Sequence, residues 1–193
     1  FFYLDTHAGR GLYDLSEAQA QRSGEYKTGI GRLLEARKAA LSAETSAYVE
    51  LVRTSAGEGH SAITAYPGSP LIVARMRRPG DRMVLVESQP KEAASLATAL
   101  GRKRLVSVLD GDGYAALKAH LPPREGRGLV LVDPPYESDL EFDRVLAGLE
   151  VGHERWPTGT FCIWYPLTDR AGPLRFHRDL ERSLPGQRDA CGS

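Results

Sequence analysis

The chain has 193 residues, 41% hydrophobic and 26% charged, which is typical of one globular domain with a sizeable core. Lys and Arg number 25 and Asp and Glu number 25, so the formal net charge is zero. This balance argues against binding nucleic acid through a strongly basic overall charge. Three local basic clusters remain available, although solvated surface charge is the more ordinary interpretation of each: Arg75 with Arg77 and Arg78, Arg102 with Lys103 and Arg104, and Arg124 with Arg127.

The two cysteines, Cys162 and Cys191, have no metal-ligand spacing and give no sign of a disulfide framework, so we expect no metal site. No apolar run reaches membrane-spanning length and no signal peptide is visible, and we expect a cytoplasmic protein without membrane contact. Nothing indicates an obligate protein partner, so a monomer is expected. Residues 1 to 4 read as the middle of a strand without an initiator Met, which predicts a domain truncated at its N-terminus.

Five short apolar runs rich in Val and Leu predict strands at residues 1 to 4, 82 to 86, 104 to 109, 128 to 132 and 160 to 165. Near-continuous apolar runs are typical of parallel strands that are covered on both faces. Helix-like segments follow the last four strands, at residues 90 to 100, 114 to 120, 140 to 149 (with Asp139 as a candidate N-cap) and 174 to 184. This alternation predicts an α/β fold with a mainly parallel, doubly wound sheet.

The segment from about residue 17 to 65 interrupts this alternation, because it is polar, has helical spacing and contains no evident strand. A simple connection between strands needs far fewer residues. We therefore expect a single domain over residues 1–193 with a helical insertion over about 17–65. The sheet-covering helix then begins late, with Ser69 as its N-cap, Pro70 as its first helical residue and an apolar face over residues 71 to 76.

The strongest chemical signal is Asp133-Pro134-Pro135-Tyr136, directly after the fourth predicted strand. Open α/β sheets bind ligands at this edge. A carboxylate and the carbonyl of a proline-stiffened chain can hold the two N–H groups of an exocyclic amine, while an aromatic ring stacks on the base. Asp133, the Pro134 carbonyl and Tyr136 match these roles, whereas the alternative is a plain strand exit in which Asp and Pro-Pro make a turn.

Weaker signals follow the other strands in order. The glycine-containing segment from Asp5 to Gly11 follows the first strand, Glu87 ends the second and could accept from ribose hydroxyls, and Asp112 beside Gly113 follows the third. Taken singly, each of these signals is weak, since a turn or, more often for a strand-end acid, a solvated charge would explain it. His7 and Ser69 are candidates for the methionine part of a nucleoside cofactor, or are simply a turn histidine and a cap. Trp164 and Tyr165 favour core and strand-exit packing, with a base contact by Tyr165 as the minority interpretation.

Taken together, these motifs resemble the 23S rRNA (adenine-N6)-methyltransferases of the RlmJ type. The segments that carry the resemblance, in chain order, are Tyr3-Leu4-Asp5-Thr6-His7-Ala8-Gly9, Gly24-Glu25-Tyr26, Tyr66-Pro67-Gly68-Ser69-Pro70-Leu71-Ile72, Asp112-Gly113, Leu117-Lys118-Ala119, Leu131-Val132-Asp133-Pro134-Pro135-Tyr136-Glu137, Thr158-Gly159-Thr160 and Trp164-Tyr165-Pro166. The Asp-Pro-Pro-Tyr motif is shared by many amino-methyltransferases, while the first and third segments are more particular to this family.

The resemblance implies a Rossmann-like class I fold with a small helical insertion and a role in rRNA processing. It implies methylation of an adenine N6 amino group in 23S rRNA, at adenine 2030, with S-adenosyl-L-methionine as cofactor and S-adenosyl-L-homocysteine as product. The cofactor-binding residues that it implies are His7, Ser69, Glu87, Asp112, Gly113 and Asp133. It also implies Asp133 as the proton acceptor. The family's N-terminal segment and last sheet strands have no counterpart in this sequence, which predicts weaker cofactor binding or an inactive chain.

Rival functions stay open at this point. Methylation of DNA adenine, of DNA cytosine at N4 or of a protein glutamine would use a similar site, although the glutamine enzymes resemble Asn-Pro-Pro-Tyr. A non-catalytic RNA-binding module on a methyltransferase fold is the rival of another class. The favoured hypothesis is direct displacement without a metal, with alignment of the amine by Asp133, Pro134 and Tyr136 providing much of the rate gain.

Overall fold

Seven strands and nine helices lie within residues 1–36, 41–55, 64–138, 140–167 and 171–184, which are the residues that the computed structural model describes. The strands are β1 Phe2–Asp5, β2 Leu12–Asp14, β3 Ala65–Pro67, β4 Arg82–Glu87, β5 Val106–Asp110, β6 Gly128–Val132 and β7 Thr160–Ile163. The helices are α1 Ala18–Ser23, α2 Glu25–Thr28, α3 Ile30–Glu35, α4 Ala43–Ser55, α5 Ser69–Met76, α6 Pro90–Leu100, α7 Gly113–His120, α8 Glu141–Arg155 and α9 Ala171–Ser183.

The main sheet has five parallel strands in the order β5-β4-β1-β6-β7. This arrangement confirms the predicted α/β fold of the Rossmann-like class, with β1 at the centre. The connections run to one side of β1 through β4 and β5 and to the other side through β6 and β7. The order therefore reverses between β1 and β6, which is where open α/β sheets form their ligand crevice.

Both faces of this sheet are covered, which explains the near-continuous apolar strands. Side chains alternate along β1, so Phe2 and Leu4 face one cluster and Tyr3 faces the other. The first cluster packs against α7, α8 and α9 through residues such as Leu117 and Val145. The second packs against α5 and α6. Burying both faces removes the polar alternation that an open-faced strand would show.

Several element boundaries differ from prediction. Helix α8 continues to Arg155, beyond the predicted end at residue 149, and the predicted cap Asp139 lies outside the described residues. Ser69 is the first helical residue of α5 rather than its N-cap, because Gly68 occupies the cap position. The Ser69 hydroxyl is instead engaged by a buried carboxylate. The helix therefore begins one residue earlier than predicted, and Pro70 still lies in its first turn.

Residues 17 to 65 contain α1 to α4 in their described part, while residues 37–40 and 56–63 lie outside it. A small antiparallel pair, β2 with β3, brackets these helices and was not predicted. The hydroxyl groups of Tyr48 on α4 and Tyr66 on β3 lie 2.6 Å apart and join the helices to this pair. The division into a domain and an inserted subdomain stays a prediction. Among the described helices, none combines the length and the apolar character needed to cross a membrane.

Gly128 shows how closely β6 approaches β1. A Cβ atom at this position would lie 2.3 Å from the Phe2 carbonyl oxygen and 2.9 Å from the Phe2 Cβ atom. Backbone cannot yield as a flexible side chain can, so any side chain here must push the two central strands apart. Glycine is therefore required by packing at the start of β6.

We expect Gly128→Ala to lower the free energy of unfolding by about 1–3 kcal/mol, as overpacking in a core does. Gly80→Ala is the matched control, because a Cβ atom there meets nothing within 4 Å. The control should stay within about 0.5 kcal/mol of wild type. Urea unfolding of the three proteins measures both values, and equal stability of the two variants would contradict the packing argument.

Candidate active site

The carboxyl ends of four parallel strands bring acidic residues to one edge of the sheet. Asp5 ends β1 and pairs in register with Leu85 of β4 and Leu131 of β6. Glu87 lies two residues beyond Leu85, and Asp133 lies two residues beyond Leu131. The loop after β1 is tied to both neighbours, because the Thr6 amide donates to the Leu131 carbonyl (3.0 Å) and the Ala8 amide donates to the Val86 carbonyl (2.9 Å).

Asp5 is a completely buried carboxylate at the centre of this edge. Its Oδ2 accepts from the hydroxyl groups of Ser69 (2.6 Å) and Tyr3 (2.9 Å). Burial raises the pKa of Asp5 to about 6; the hydrogen bonds from Ser69 and Tyr3 oppose that rise, and the charge of Asp133 adds to it. The Asp-Thr-His-Ala-Gly motif drew attention to this segment, but Asp5 was not among the predicted site residues. The signal that could have identified Asp5 as a site residue is its position as an acid at the end of an apolar strand.

Glu87 anchors the glycine turn that follows β1. Its Oε2 accepts from the amide of Gly9 (2.8 Å), and its Oε1 accepts from the amide of Gln89 (2.8 Å). Gly9 has a φ of +62°, which favours glycine. Each carboxylate oxygen can accept a second hydrogen bond, so these contacts leave Glu87 able to bind a ligand hydroxyl.

Asp112 and Gly113 shape the next part of this sheet edge, which we call the rim and which includes Asp5, Glu87 and Asp133. Asp112 caps α7, because its Oδ1 accepts from the amides of Tyr114 (2.7 Å) and Ala115 (3.3 Å). Among the described residues, none donates to its Oδ2. A Cβ atom on Gly113 would lie 1.9 Å from the carbonyl oxygen of Thr6. Gly113 therefore lets the start of α7 approach the loop after β1.

His7 lies between these groups. Its Nδ1 is 2.9 Å from the Thr6 hydroxyl oxygen, and its ring meets the Tyr114 ring edge-on at 5.1 Å between centroids. Burial lowers the pKa of His7, while the charges of Glu141, Glu87 and Asp112 oppose that effect. The hydroxyl of Tyr114 donates to the buried carboxylate of Glu141 (2.7 Å). Sequence reasoning missed both Tyr114 and Glu141, because no motif marks them.

The segment from Asp133 to Tyr136 leaves the end of β6 in the predicted place. The carboxylate of Asp133 is half-buried and has no hydrogen-bond or ion-pair partner among the described residues, and burial raises its pKa. Pro134 is buried, and no described residue donates to its carbonyl. Within the described part of the chain, this pair of acceptors beside β1 therefore has no partner.

Tyr136 has a φ of +50°, a strained conformation for a residue with a bulky side chain. Two contacts hold it there. Its hydroxyl donates to the Trp164 carbonyl (3.0 Å), and its ring lies 5.0 Å from the Phe142 ring between centroids. The charge of Asp133 adds to burial in raising the pKa of Tyr136. The two predicted catalytic side chains therefore share one environment.

The structure brings the predicted site residues to a single rim. Ser69 donates a hydrogen bond to Asp5, and the charge of Asp133 adds to burial in raising the pKa of Asp5. The charges of Glu87 and Asp112 oppose the lowering of the His7 pKa by burial. Their roles stay predictions. Within the described ranges, no group of three or more His, Cys, Asp or Glu side chains is placed to hold a metal ion.

The two aromatic residues after β7 behave differently from one another. Trp164 is 56% exposed, so the prediction of core packing was wrong for it. The strand ends at Ile163, and the Trp164 ring turns toward Tyr136 at 6.5 Å between centroids instead of entering the core. Tyr165 packs against Phe142 and Phe176 and shares a 2.6 Å hydrogen bond with the ring of His177, in agreement with strand-exit packing.

Known proteins resemble this chain along most of its length. The family described as "Ribosomal RNA large subunit methyltransferase D, RlmJ" matches residues 1–187. Ribosomal RNA large subunit methyltransferase J of Haemophilus influenzae is 41% identical over 181 residues, and that of Escherichia coli is 39% identical over 181 residues. Each match covers 94% of this chain and 63% of the relative, so the chain spans less than two thirds of these proteins.

A solved structure supports the fold in the same way. The crystal structure of a protein from Legionella pneumophila superposes with a TM-score of 0.83 at 33% sequence identity. The match covers 94% of this chain and 65% of that one. The central sheet and its flanking helices are therefore shared with a solved protein.

The buried acid Asp5 generates a testable dependence of stability on pH. Its pKa rises from 3.8 in the ordinary case to about 6 in the fold, so the folded protein binds this proton more tightly than the unfolded chain. The stability that this proton provides is present below about pH 4 and is lost as the pH rises through about 6. Asn cannot titrate, yet its side-chain oxygen can still accept from Tyr3 and Ser69.

We therefore expect Asp5→Asn to gain stability relative to wild type as the pH rises. The difference in free energy of unfolding should grow by on the order of 2–3 kcal/mol between about pH 4 and pH 7. Denaturant unfolding of both proteins across this range measures it. A difference that stays constant with pH would show that Asp5 titrates alike in the folded and unfolded states.

Proposed function

The chain belongs to the ribosomal RNA large subunit methyltransferase J family, and on that premise we propose that the protein is an S-adenosylmethionine-dependent enzyme that methylates adenine in ribosomal RNA. In its finer form the proposal names the N6 amino group of adenine 2030 in 23S rRNA as the target. A cytoplasmic monomer is part of the same proposal. The relatives are named as large-subunit rRNA methyltransferases, which supports the substrate class.

One observation carries the chemistry: the half-buried carboxylate of Asp133, which has no partner among the described residues, lies beside the proline carbonyl of residue 134 and a strained tyrosine at the end of β6. A turn that served only to leave the strand would not need an unpaired carboxylate or a tyrosine at φ +50°. Strain and unpaired polar groups persist where the surrounding structure enforces them, and they concentrate at functional sites.

The residues on the rim fit the proposed cofactor. Ribose hydroxyls are donors, and each oxygen of Glu87 accepts only one hydrogen bond from the described residues. The adenine amino group is a donor, and Oδ2 of Asp112 is an available acceptor. The methionine carboxylate suits the start of α5 at Ser69, where the helix dipole presents its positive end. The positive sulfonium suits an edge that gathers the carboxylates of Asp5 and Asp133.

S-adenosylmethionine, when bound, supplies the methyl group from its sulfonium and leaves as S-adenosylhomocysteine. The chain's own residues orient the acceptor. Asp133 and the Pro134 carbonyl accept the two N–H groups of the adenine amine, so the nitrogen lone pair is directed at the methyl carbon. The ring of Tyr136 stacks on the base, held by Phe142 and by its hydroxyl bond to the Trp164 carbonyl.

Asp133 also accepts the proton that the amine loses after transfer. A carboxylate whose pKa is raised by burial is a better base than an exposed one. Partial burial also strengthens its hydrogen bonds to the substrate, because less water competes for them. Both effects depend on the partial burial of Asp133 just after β6.

We expect Asp133→Asn to lower the rate of methyl transfer by at least about 100-fold while leaving the fold intact, because loss of a general base costs about 10²–10⁴-fold. Asp143→Asn is the matched control, since this exposed acid on α8 pairs with Arg175 and not with a predicted site residue. Mass spectrometry of nucleosides from treated 23S rRNA and from DNA of the same sequence measures N6-methyladenosine and its deoxy form.

Near-normal activity of the Asp133 variant would remove its catalytic role. Methylation of the DNA and not of the rRNA would show that the substrate is DNA and would contradict the proposed rRNA substrate. Binding of S-adenosylhomocysteine without any methylated product from wild type would favour a binding module, and calorimetry measures that binding.

A further inference from the structure

The Thr6 hydroxyl lies between two groups that compete for its single proton. Its oxygen is 3.0 Å from the Leu131 carbonyl oxygen and 2.9 Å from Nδ1 of His7. Thr6 is only 1% exposed, so water does not compete for either contact. The Leu131 carbonyl oxygen, the Thr6 hydroxyl oxygen and Nδ1 of His7 therefore form a chain, and the position of the hydroxyl proton decides which atom donates in each contact.

A carbonyl oxygen can only accept, so its 3.0 Å contact with the Thr6 oxygen is favourable only when the hydroxyl proton points at it. The hydroxyl proton is then used, and Nδ1 of His7 must be the donor in the second contact. The reverse assignment makes one hydrogen bond and leaves two oxygen lone pairs facing each other at 3.0 Å. The first assignment makes two hydrogen bonds in a row, which strengthen one another.

We propose that Thr6 locks His7 in the tautomer with hydrogen on Nδ1, so that Nε2 presents a lone pair to the site and accepts a hydrogen bond from the α-ammonium of the cofactor's methionine part. This inference rests on the proposed function for the identity of the ligand. It adds Thr6 as a positioning residue. It also assigns the donor and the acceptor nitrogen of His7, which the sequence does not reveal.

The surroundings of His7 favour a cationic donor as its ligand. The charges of three carboxylates on three elements act on the ring: Glu87 on β4, Asp112 at the cap of α7 and Glu141 at the start of α8. A positive group beside Nε2 is attracted by all three, whereas a carboxylate is repelled. Burial lowers the pKa of His7 and so favours the neutral imidazole, in which Nε2 can be an acceptor.

The ring orientation is fixed as well as the tautomer. The Tyr114 ring meets the His7 ring at an interplanar angle of 67°, and the Tyr114 hydroxyl is itself held by Glu141. Nε2 has no hydrogen-bond partner among the described residues. The aromatic contact with Tyr114 and the Thr6 bond leave this nitrogen available to a ligand.

Nitrogen NMR of histidine tests the tautomer directly in the free protein. The chain has five histidines, so the His7 signals are assigned by their absence from the spectrum of His7→Gln. At neutral pH we expect a pyrrole-type Nδ1 and a pyridine-type Nε2. A pyridine-type Nδ1, or a doubly protonated ring, would overturn the assignment whatever the protein does with a cofactor.

Two substitutions of Thr6 separate the hydroxyl from mere packing. Thr6→Ser keeps the hydroxyl and should keep the Nδ1–H tautomer. Thr6→Val keeps the shape but leaves Nδ1–H without an acceptor, so the signals should move toward a mixture of tautomers. Both variants are first checked for thermal unfolding close to wild type. An unchanged His7 spectrum in the folded Val variant would remove Thr6 from the proposal.

Calorimetry with S-adenosylhomocysteine and its deaminated analogue tests the acceptor role. His7→Asn can still donate to Thr6 but offers nothing at the Nε2 position, and should bind S-adenosylhomocysteine about 10-fold to 100-fold more weakly. It should bind the deaminated analogue as wild type does. His7→Gln places an amide oxygen near the Nε2 position and should recover part of the loss.

Equal weakening for both ligands in His7→Asn would contradict a contact with the ammonium. Failure of wild type to bind S-adenosylhomocysteine would instead count against the proposed function, and the NMR result on the tautomer would stand apart from it. The two ideas therefore fail in different experiments.

Discussion

The site depends on a buried carboxylate. Asp5 lies at the end of the central strand and has no exposed surface. Its Oδ2 accepts hydrogen bonds from the hydroxyl groups of Tyr3 and Ser69. Through these bonds one side chain ties the core to the start of α5, while the charge of Asp133 reaches it from β6. Such a group is costly to bury, so its hydrogen bonds must persist, and the surrounding elements are thereby fixed relative to one another.

Residues of the rim serve the fold and the proposed chemistry together. Glu87 accepts the amide of Gly9 and holds the turn after β1, and Asp112 caps α7. Gly113 is required by the approach of Thr6, independently of any ligand. Substitutions here therefore change stability and binding at once, and only paired measurements separate the two. Asp133 differs, because its carboxylate has no partner among the described residues and its proposed role is chemical.

The parallel sheet could be predicted because parallel strands buried on both faces leave long apolar runs, as in β4 and β6. The β2–β3 pair could not, since its strands are three residues long and Leu12 and Tyr13 are exposed. Ser69 looked like a cap because the tertiary bond to Asp5 is invisible in sequence. Thr6, Tyr114 and Glu141 were missed for the same reason: their roles arise from contacts between distant segments.

A crystal structure of the protein with S-adenosylhomocysteine tests the central claim most directly, because it shows whether the ends of β1, β4, β5 and β6 form one nucleoside pocket. The account predicts the ribose hydroxyls on the carboxylate of Glu87, the adenine amino group beside Asp112 and the sulfur facing the side chain of Asp133. A ligand bound elsewhere, or bound here with its sulfur on the far side of the rim from Asp133 and Tyr136, would contradict it.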